Sequence, residues 1–192
     1  MHKYLIIVLF LLIPSLGSSQ TVSITKITGD KSNKTVKYEE FTGIKFGINY
    51  SELEKYLNGF DNISFKDEKE AEGMKIYRYN SNHKLSGAAG SMFSFYEDKL
   101  AMMGILYLGE ESGDTFDGLK KLIDDKYGKM KDIIIFSGKK ASSIKGRLWF
   151  NIEYTNNPFE GDKTLLMVGD IKLMEKAQEK KIKDMASSLG EL

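Results

Sequence analysis

The densest apolar patterning lies between Met92 and Leu108, where the runs Met92-Phe-Ser-Phe-Tyr96 and Leu100-Ala-Met-Met-Gly-Ile-Leu-Tyr-Leu108 meet at Glu97-Asp98-Lys99. Two such runs around a short charged stretch predict a β-hairpin. With a two-residue loop at Asp98-Lys99, Glu97 pairs with Leu100, Tyr96 with Ala101, Phe95 with Met102 and Ser94 with Met103. That pairing puts Phe93, Phe95, Leu100 or Met102, and Leu106 on one face. Met92, Tyr96, Ala101, Met103, Ile105 and Tyr107 take the other. A three-residue loop, with the register slipped by one, is the alternative, because Asp98-Lys99 lacks the glycine such loops prefer. Under either register both faces are apolar, whereas a half-solvated antiparallel strand alternates apolar with polar, so some other element is expected to cover the second face.

Upstream, Phe41 to Gly47 leads into a first helix, Tyr50 to Asn58, with Leu53, Tyr56, Leu57 and the following Phe60 on one side. Either Asn49 caps it, or Ser51 does so in a capping box with Glu54. Gly59 is expected to end it in a left-handed conformation. A charged loop, Lys66 to Glu72, precedes a strand from Met74 to Tyr79, and the loop Asn80 to Ser91 then reaches the hairpin.

A second helix opens at Asp114 or Thr115, carries Phe116, Leu119, Leu122, Ile123 and Tyr127 at helical spacing, and closes at Gly128. Ile133 to Phe136 reads as a short buried strand. In Arg147 to Tyr154, Leu148, Phe150, Ile152 and Tyr154 alternate with Arg147, Trp149, Asn151 and Glu153. Thr164 to Val168 follows, and a helix from about Lys172 to Leu189 carries the stripe Met174, Ala177, Ile182, Met185 and Leu189, as on a helix with one face against a sheet. The expected fold is therefore α+β, two tandem helix-then-antiparallel-meander repeats sharing one sheet, plus a C-terminal helix. The first repeat spans about 41–108, the second about 110–170, and each holds one helix and three strands.

Gly47-Ile-Asn-Tyr-Ser-Glu-Leu53 opening the first helix, and Asp125-Lys-Tyr-Gly-Lys129 closing the second, give this order a familiar form. It resembles small secreted bacterial proteins of the β-lactamase-inhibitory-protein and BamE-like fold, over about residues 40 to 170. The resemblance implies a binding or scaffold role without chemistry. The chain departs from the BamE pattern in lacking a lipid-bearing cysteine.

Composition narrows the function classes. Met1-His2-Lys3, the ten-residue apolar run Tyr4 to Ile13, Pro14, and the small residues Gly17, Ser18 and Ser19 read as a signal peptide, residues 1–19, cut before Gln20. The run is too short for a bilayer core that needs about 20 apolar residues, so no transmembrane segment is expected in the mature chain. Residues 20–40 read as an N-terminal arm or weak strand, with Val22, Ile24, Ile27, Val36 and Tyr38 its only residues fit for burial. Export places the protein in the periplasm or outside the cell. There are no cysteines, which removes disulfides and thiolate chemistry. Loss of Lys3 with the leader takes Lys+Arg from 28 to 27, against 27 Asp+Glu, and this neutrality excludes nucleic acid as the main partner.

Catalytic constellations are sparse. His83, the one histidine after processing, sits among loop formers with no second ligand or nucleophile pattern nearby. Gly87-Ala-Ala-Gly-Ser91 lacks the Gly-Lys-Ser/Thr ending of a phosphate loop. Glu110, Glu111, Asp114 and Asp117 crowd one turn, 110–117, and support two alternative readings, a carboxylate-based hydrolase or a calcium-binding protein, although their spacing misses the EF-hand and Asp114 and Asp117 suit a helix start. Asn33-Lys-Thr, Asn49-Tyr-Ser and Asn62-Ile-Ser match glycosylation sequons. No catalytic residue, metal site or cofactor is therefore assigned.

The aromatic residues carry more information. If Leu148, Phe150 and Ile152 pack under helices, Trp149 points to the opposite face, which Tyr77, Tyr79, Tyr96 and Tyr107 can share. Aromatic rings with polar tips are enriched at protein interfaces. These five residues define the expected binding face of a secreted, non-enzymatic protein recognising a protein or peptide. Burial of the same face under the C-terminal helix or the leading arm is the alternative, and a structural envelope component is the third reading.

Overall fold

A computed structural model describes residues 40–60, 63–81, 88–109, 112–135, 138–158 and 160–190. The expected signal peptide, most of the expected arm, His83, Gly87, Glu110, Glu111, Phe136 and the sequons at Asn33 and Asn62 lie wholly or partly outside these residues. The fold is α+β. A small hairpin of β1 (Glu40–Phe41) and β2 (Ile44–Lys45) precedes α1 (Tyr50–Leu57) and the strands β3 (Ile63–Ala71), β4 (Met74–Ser81), β5 (Ala88–Tyr96) and β6 (Lys99–Leu108). Next come α2 (Ser112–Tyr127), β7 (Lys131–Ile135), β8 (Gly138–Lys145), β9 (Leu148–Thr155) and β10 (Lys163–Asp170), and the chain closes with α3 (Ile171–Gly190). Strands β3 to β10 form one antiparallel eight-stranded sheet in the order β3-β4-β5-β6-β10-β9-β8-β7.

Each of the first two helices is thus followed by four strands, not the three expected. Strand β3 occupies what reads as the charged loop Lys66 to Glu72. As an edge strand it pairs only with β4 and is mostly exposed, so its side chains stay in water and charge replaces alternation there. The other unexpected strand, β8, is polar apart from Ala141 and Ile144, and its fully buried position is the small Ala141. The strand expected to be buried at Ile133 to Phe136 is instead the opposite edge, β7, where no further layer covers Ile133 and Ile134 and both are exposed.

The central hairpin turns at Glu97-Asp98, one residue earlier than expected. Both residues have positive φ, 48° and 58°, the geometry of a tight two-residue turn. Tyr96 pairs with Lys99 and Phe95 with Leu100, and then the register shifts so that Ser94 opposes Met102 and Ala101 is left over as a bulge. The bulge resets the alternation. Phe93, Phe95, Leu100, Met103 and Ile105 belong to the main core, while Ala101 and Met102 belong to clusters on the other side. Leu106, expected beside Phe95, instead pairs with Leu165 of that other side.

The main core lies between the sheet and the layer made by β1–β2, α1 and α2, with Leu53, Phe150, Ile123, Leu148 and Ile152 all fully buried. The rings of Phe41, Tyr127 and Phe150 meet within it at 4.7–6.1 Å in tilted and edge-on contacts. The opposite face is covered in part by α3, whose expected apolar stripe reaches the sheet only in its first half, because Ile182 and Met185 extend past the packed clusters and are exposed. Leu173 and Ala177 pack on Met74, Tyr96 and Ala101, while Ile171 and Met174 pack near Trp149, Met102 and Met167. Asp170, 1% exposed, caps α3 by accepting from the Lys172 and Leu173 amides at 3.0 and 3.3 Å, and Arg147 holds its other oxygen at 2.5 Å. The two-faced apolar character of the hairpin therefore has a physical cause: helices lie on both sides.

Helix starts follow their capping chemistry. Asn49 caps α1, accepting from the Glu52 amide at 2.9 Å while Glu52 accepts from the Asn49 amide at 3.0 Å, so the reciprocal box uses Asn49 and Glu52 rather than Ser51 and Glu54. The cap residue at the far end is Asn58 in right-handed conformation, and Gly59 is not left-handed. Gly128, at φ 94°, does close α2 as expected, whereas α2 begins at Ser112, two residues before Asp114.

Candidate functional site

The five aromatic residues expected to share one exposed face fall in three places. Tyr77 and Tyr79, each 7% exposed, lie on the main-core side, with Tyr77 directly under α1. Tyr107 opposes Thr164, whose hydroxyl donates to the Ser112 carbonyl at the start of α2, and burial pushes the Tyr107 phenol up to about 12. Only Tyr96 and Trp149 lie on the α3 side, 7% and 8% exposed. Their flat surfaces are taken up by Leu173, Ala177, Ile171 and Met174, so this pair is packing for the last helix and not an open face. The alternation Leu148, Phe150, Ile152 against Trp149 is as read from the sequence. What periodicity could not provide was the phase of β4 relative to β9 across intervening strands.

Exposed aromatic surface is found elsewhere, on and just after α1 and on β3. Phe65 of β3 is 53% exposed, Phe60 just after α1 is 44%, and Tyr56 on α1 is 36%. The Tyr56 and Phe60 rings lie 5.3 Å apart, as expected for positions four apart in a helical turn, and the Tyr56 hydroxyl donates to the Thr42 carbonyl at 2.9 Å. On the strand side the Phe65 ring meets Tyr79 edge-on at 5.7 Å. Between helix and strands opens a cleft of about 330 Å³, lined by Tyr50, Glu54, Leu57, Asn58, Ile63, Phe65 and Tyr79.

The floor of this cleft is rigidly built. Tyr50 is the first residue of α1, so the capping box that fixes the helix start also fixes its ring. That ring stacks on Tyr77 at 3.8 Å and 17°, and Phe95 closes edge-on against both at 5.5 and 5.9 Å. Its hydroxyl lies 3.0 Å from the Tyr79 hydroxyl. Burial raises the Tyr79 phenol well above the ordinary tyrosine range, helped by the hydrogen bond to Tyr50 and by the charge of Glu54. The cleft thus offers two phenol oxygens, the Asn58 amide, the Glu54 carboxylate and the rings of Tyr50, Phe65 and Tyr79.

Of these lining residues, sequence reasoning singled out only Tyr79 for binding. Phe65 was hidden because Ile63-Ser-Phe65, a short alternating run, merges at once into Lys66-Asp-Glu-Lys-Glu70. Phe60 was read as part of the apolar side of α1, yet the chain turns it outward after Asn58. Of the acidic turn, Asp114 and Asp117 are among the described residues. Asp114 is exposed, Asp117 is held by Lys139 at 2.9 Å, and no group of three or more His, Cys, Asp or Glu gathers among the described residues. Among these residues no helix is long and apolar enough to cross a membrane. No known protein family, curated protein or solved structure matches the chain.

Proposed function

We propose that this chain is an exported, non-enzymatic binding protein that recognises a protein or peptide through the aromatic cleft between α1 and the β3–β4 edge. The carrying observation is an exposed ring, Phe65, in the lining of a cleft with a pre-ordered polar floor, with a second exposed pair of rings, Tyr56 and Phe60, on and just after α1. Partly exposed rings with hydrogen-bonding neighbours are the composition from which interface anchors are drawn. The cleft volume also falls in the range of roughly 300–1,000 Å³ that holds a side chain or small ligand. The leader-like residues 1–19 support export. The twice-occurring order of one helix and four antiparallel strands supports kinship with the β-lactamase-inhibitory-protein and BamE-like fold.

The test is a comparative pull-down from the native envelope using wild-type protein, Phe65→Ala with Phe60→Ala, and Ile134→Lys on the far edge of the sheet. A partner retained by the Ile134 variant and lost by the double variant supports the cleft. Equal capture by all three would place binding elsewhere, and turnover of an envelope substrate that survives the double variant would replace the binding reading with an enzymatic one.

A further inference from the structure

We infer that the cleft receives a basic side chain, the lysine or arginine of a partner peptide; this deepens the binding reading above and rests on it. Glu54 is the only charged residue among those lining the cleft. Of the described carboxylates near the lining residues in sequence, Glu52 accepts the Asn49 amide, Asp67 holds Arg78 at 2.5 Å and Glu68 holds Lys75 at 3.2 Å. Among the described residues, Glu54 has no cation within ion-pair distance. Its exposed side chain borders a recess that the rings of Tyr50, Phe65 and Tyr79 also line.

A carboxylate at the mouth and ring faces along the walls are complementary to an alkylammonium or guanidinium group. The methylene stem packs on Leu57, Ile63 and Phe65, the cationic head is drawn to the ring faces and to Glu54, and the paired phenol oxygens of Tyr50 and Tyr79 accept its N–H groups. An anionic ligand meets repulsion from Glu54. A purely apolar one leaves the phenol pair and Asn58 desolvated without partners.

The experiment is an NMR titration of the labelled full mature chain with Nα-acetyl-lysine N-methylamide, the matching norleucine compound and the Nε-acetyl-lysine compound. The lysine compound is expected to shift resonances of Asn58, Ile63, Phe65 and Tyr79 and to bind at least tenfold more tightly than either neutral one. Glu54→Gln is expected to remove most of that preference, as is raising the salt concentration. Equal binding of all three compounds, lost in Phe65→Ala, overturns the basic-residue assignment while leaving the cleft as a binding site. Shifts absent from the cleft, or unaffected by Phe65→Ala, overturn both. A wild-type dimer that Glu54→Gln dissolves overturns the assignment in favour of a second copy of this chain.

Discussion

The hydroxyls of Tyr50 and Tyr79 lie 3.0 Å apart across the floor of the α1–β4 cleft, joining the first residue of a helix to the middle of a strand. Because burial, and then this bond, raise the Tyr79 phenol, its neutral form is favoured in the folded state. The linked stability is fully present below the unfolded tyrosine value of about 10 and is lost as pH rises through the higher folded value. Tyr79→Phe is expected to cost about 1 kcal/mol at pH 8. Chemical denaturation at pH 8 and at pH 11 checks this, with the gap between variant and wild type narrowing at the higher pH.

Trp149 and Tyr96 are packing residues beneath α3. Trp149→Ala is expected to destabilise by about 3–5 kcal/mol, the usual cost of deleting a large buried ring. Ile134→Lys, at a fully exposed position, should stay within about 0.5 kcal/mol of wild type. Thermal unfolding of the two variants side by side measures the contrast.

Gly138 opens β8 against the backbone of β9, where an added Cβ would stand 1.9 Å from the Tyr154 carbonyl oxygen. A backbone oxygen cannot swing aside as a side chain does. Gly138→Ala is expected to cost on the order of 1–3 kcal/mol by prying the strands apart, read as a lower denaturation midpoint with faster exchange of amides at the start of β8.

Asp124, near the end of α2, accepts from the Met130 amide at 2.6 Å and from Lys120 at 3.1 Å, with Lys129 at 3.7 Å. Burial alone pushes its carboxyl up, but these hydrogen bonds and charges outweigh it and hold the group below the ordinary range. A depressed carboxyl contributes stability above the unfolded value of about 3.9, lost as pH falls through the folded one. Asp124→Asn keeps the shape and the acceptor for Met130 but loses the charge. It should cost roughly 1–3 kcal/mol at pH 7, with the deficit shrinking below pH 4.

How far the sequence foretells this molecule can be judged residue by residue. Leu148, Phe150 and Ile152 were legible as main-core positions because successive side chains of a strand point to opposite faces, although Trp149 and Asn151 on the other face are buried as well. The helix with Phe116, Ile123 and Tyr127 was legible for the corresponding reason at a spacing of three to four. Both apolar faces of the β5–β6 hairpin were visible, but its register was not, since the bulge at Ala101 leaves no mark in the hydrophobic pattern. Edge strand β3 was illegible because water, not a neighbouring layer, surrounds its side chains. The cleft was missed for a different cause. Tyr50, Phe65 and Tyr79 come from three elements whose meeting depends on the sheet order, and only Tyr79 lay in a strand whose pattern drew attention to it.

The most direct test of the cleft as the binding site is site-specific photocrosslinking in the native envelope, with benzoylphenylalanine placed at position 65 and, as comparisons, at 134 and 185. The account predicts one adduct of defined mass at position 65, absent at the other two and lost when Tyr79 is also replaced by alanine. Identical adducts at all three positions, or none at position 65, would contradict it.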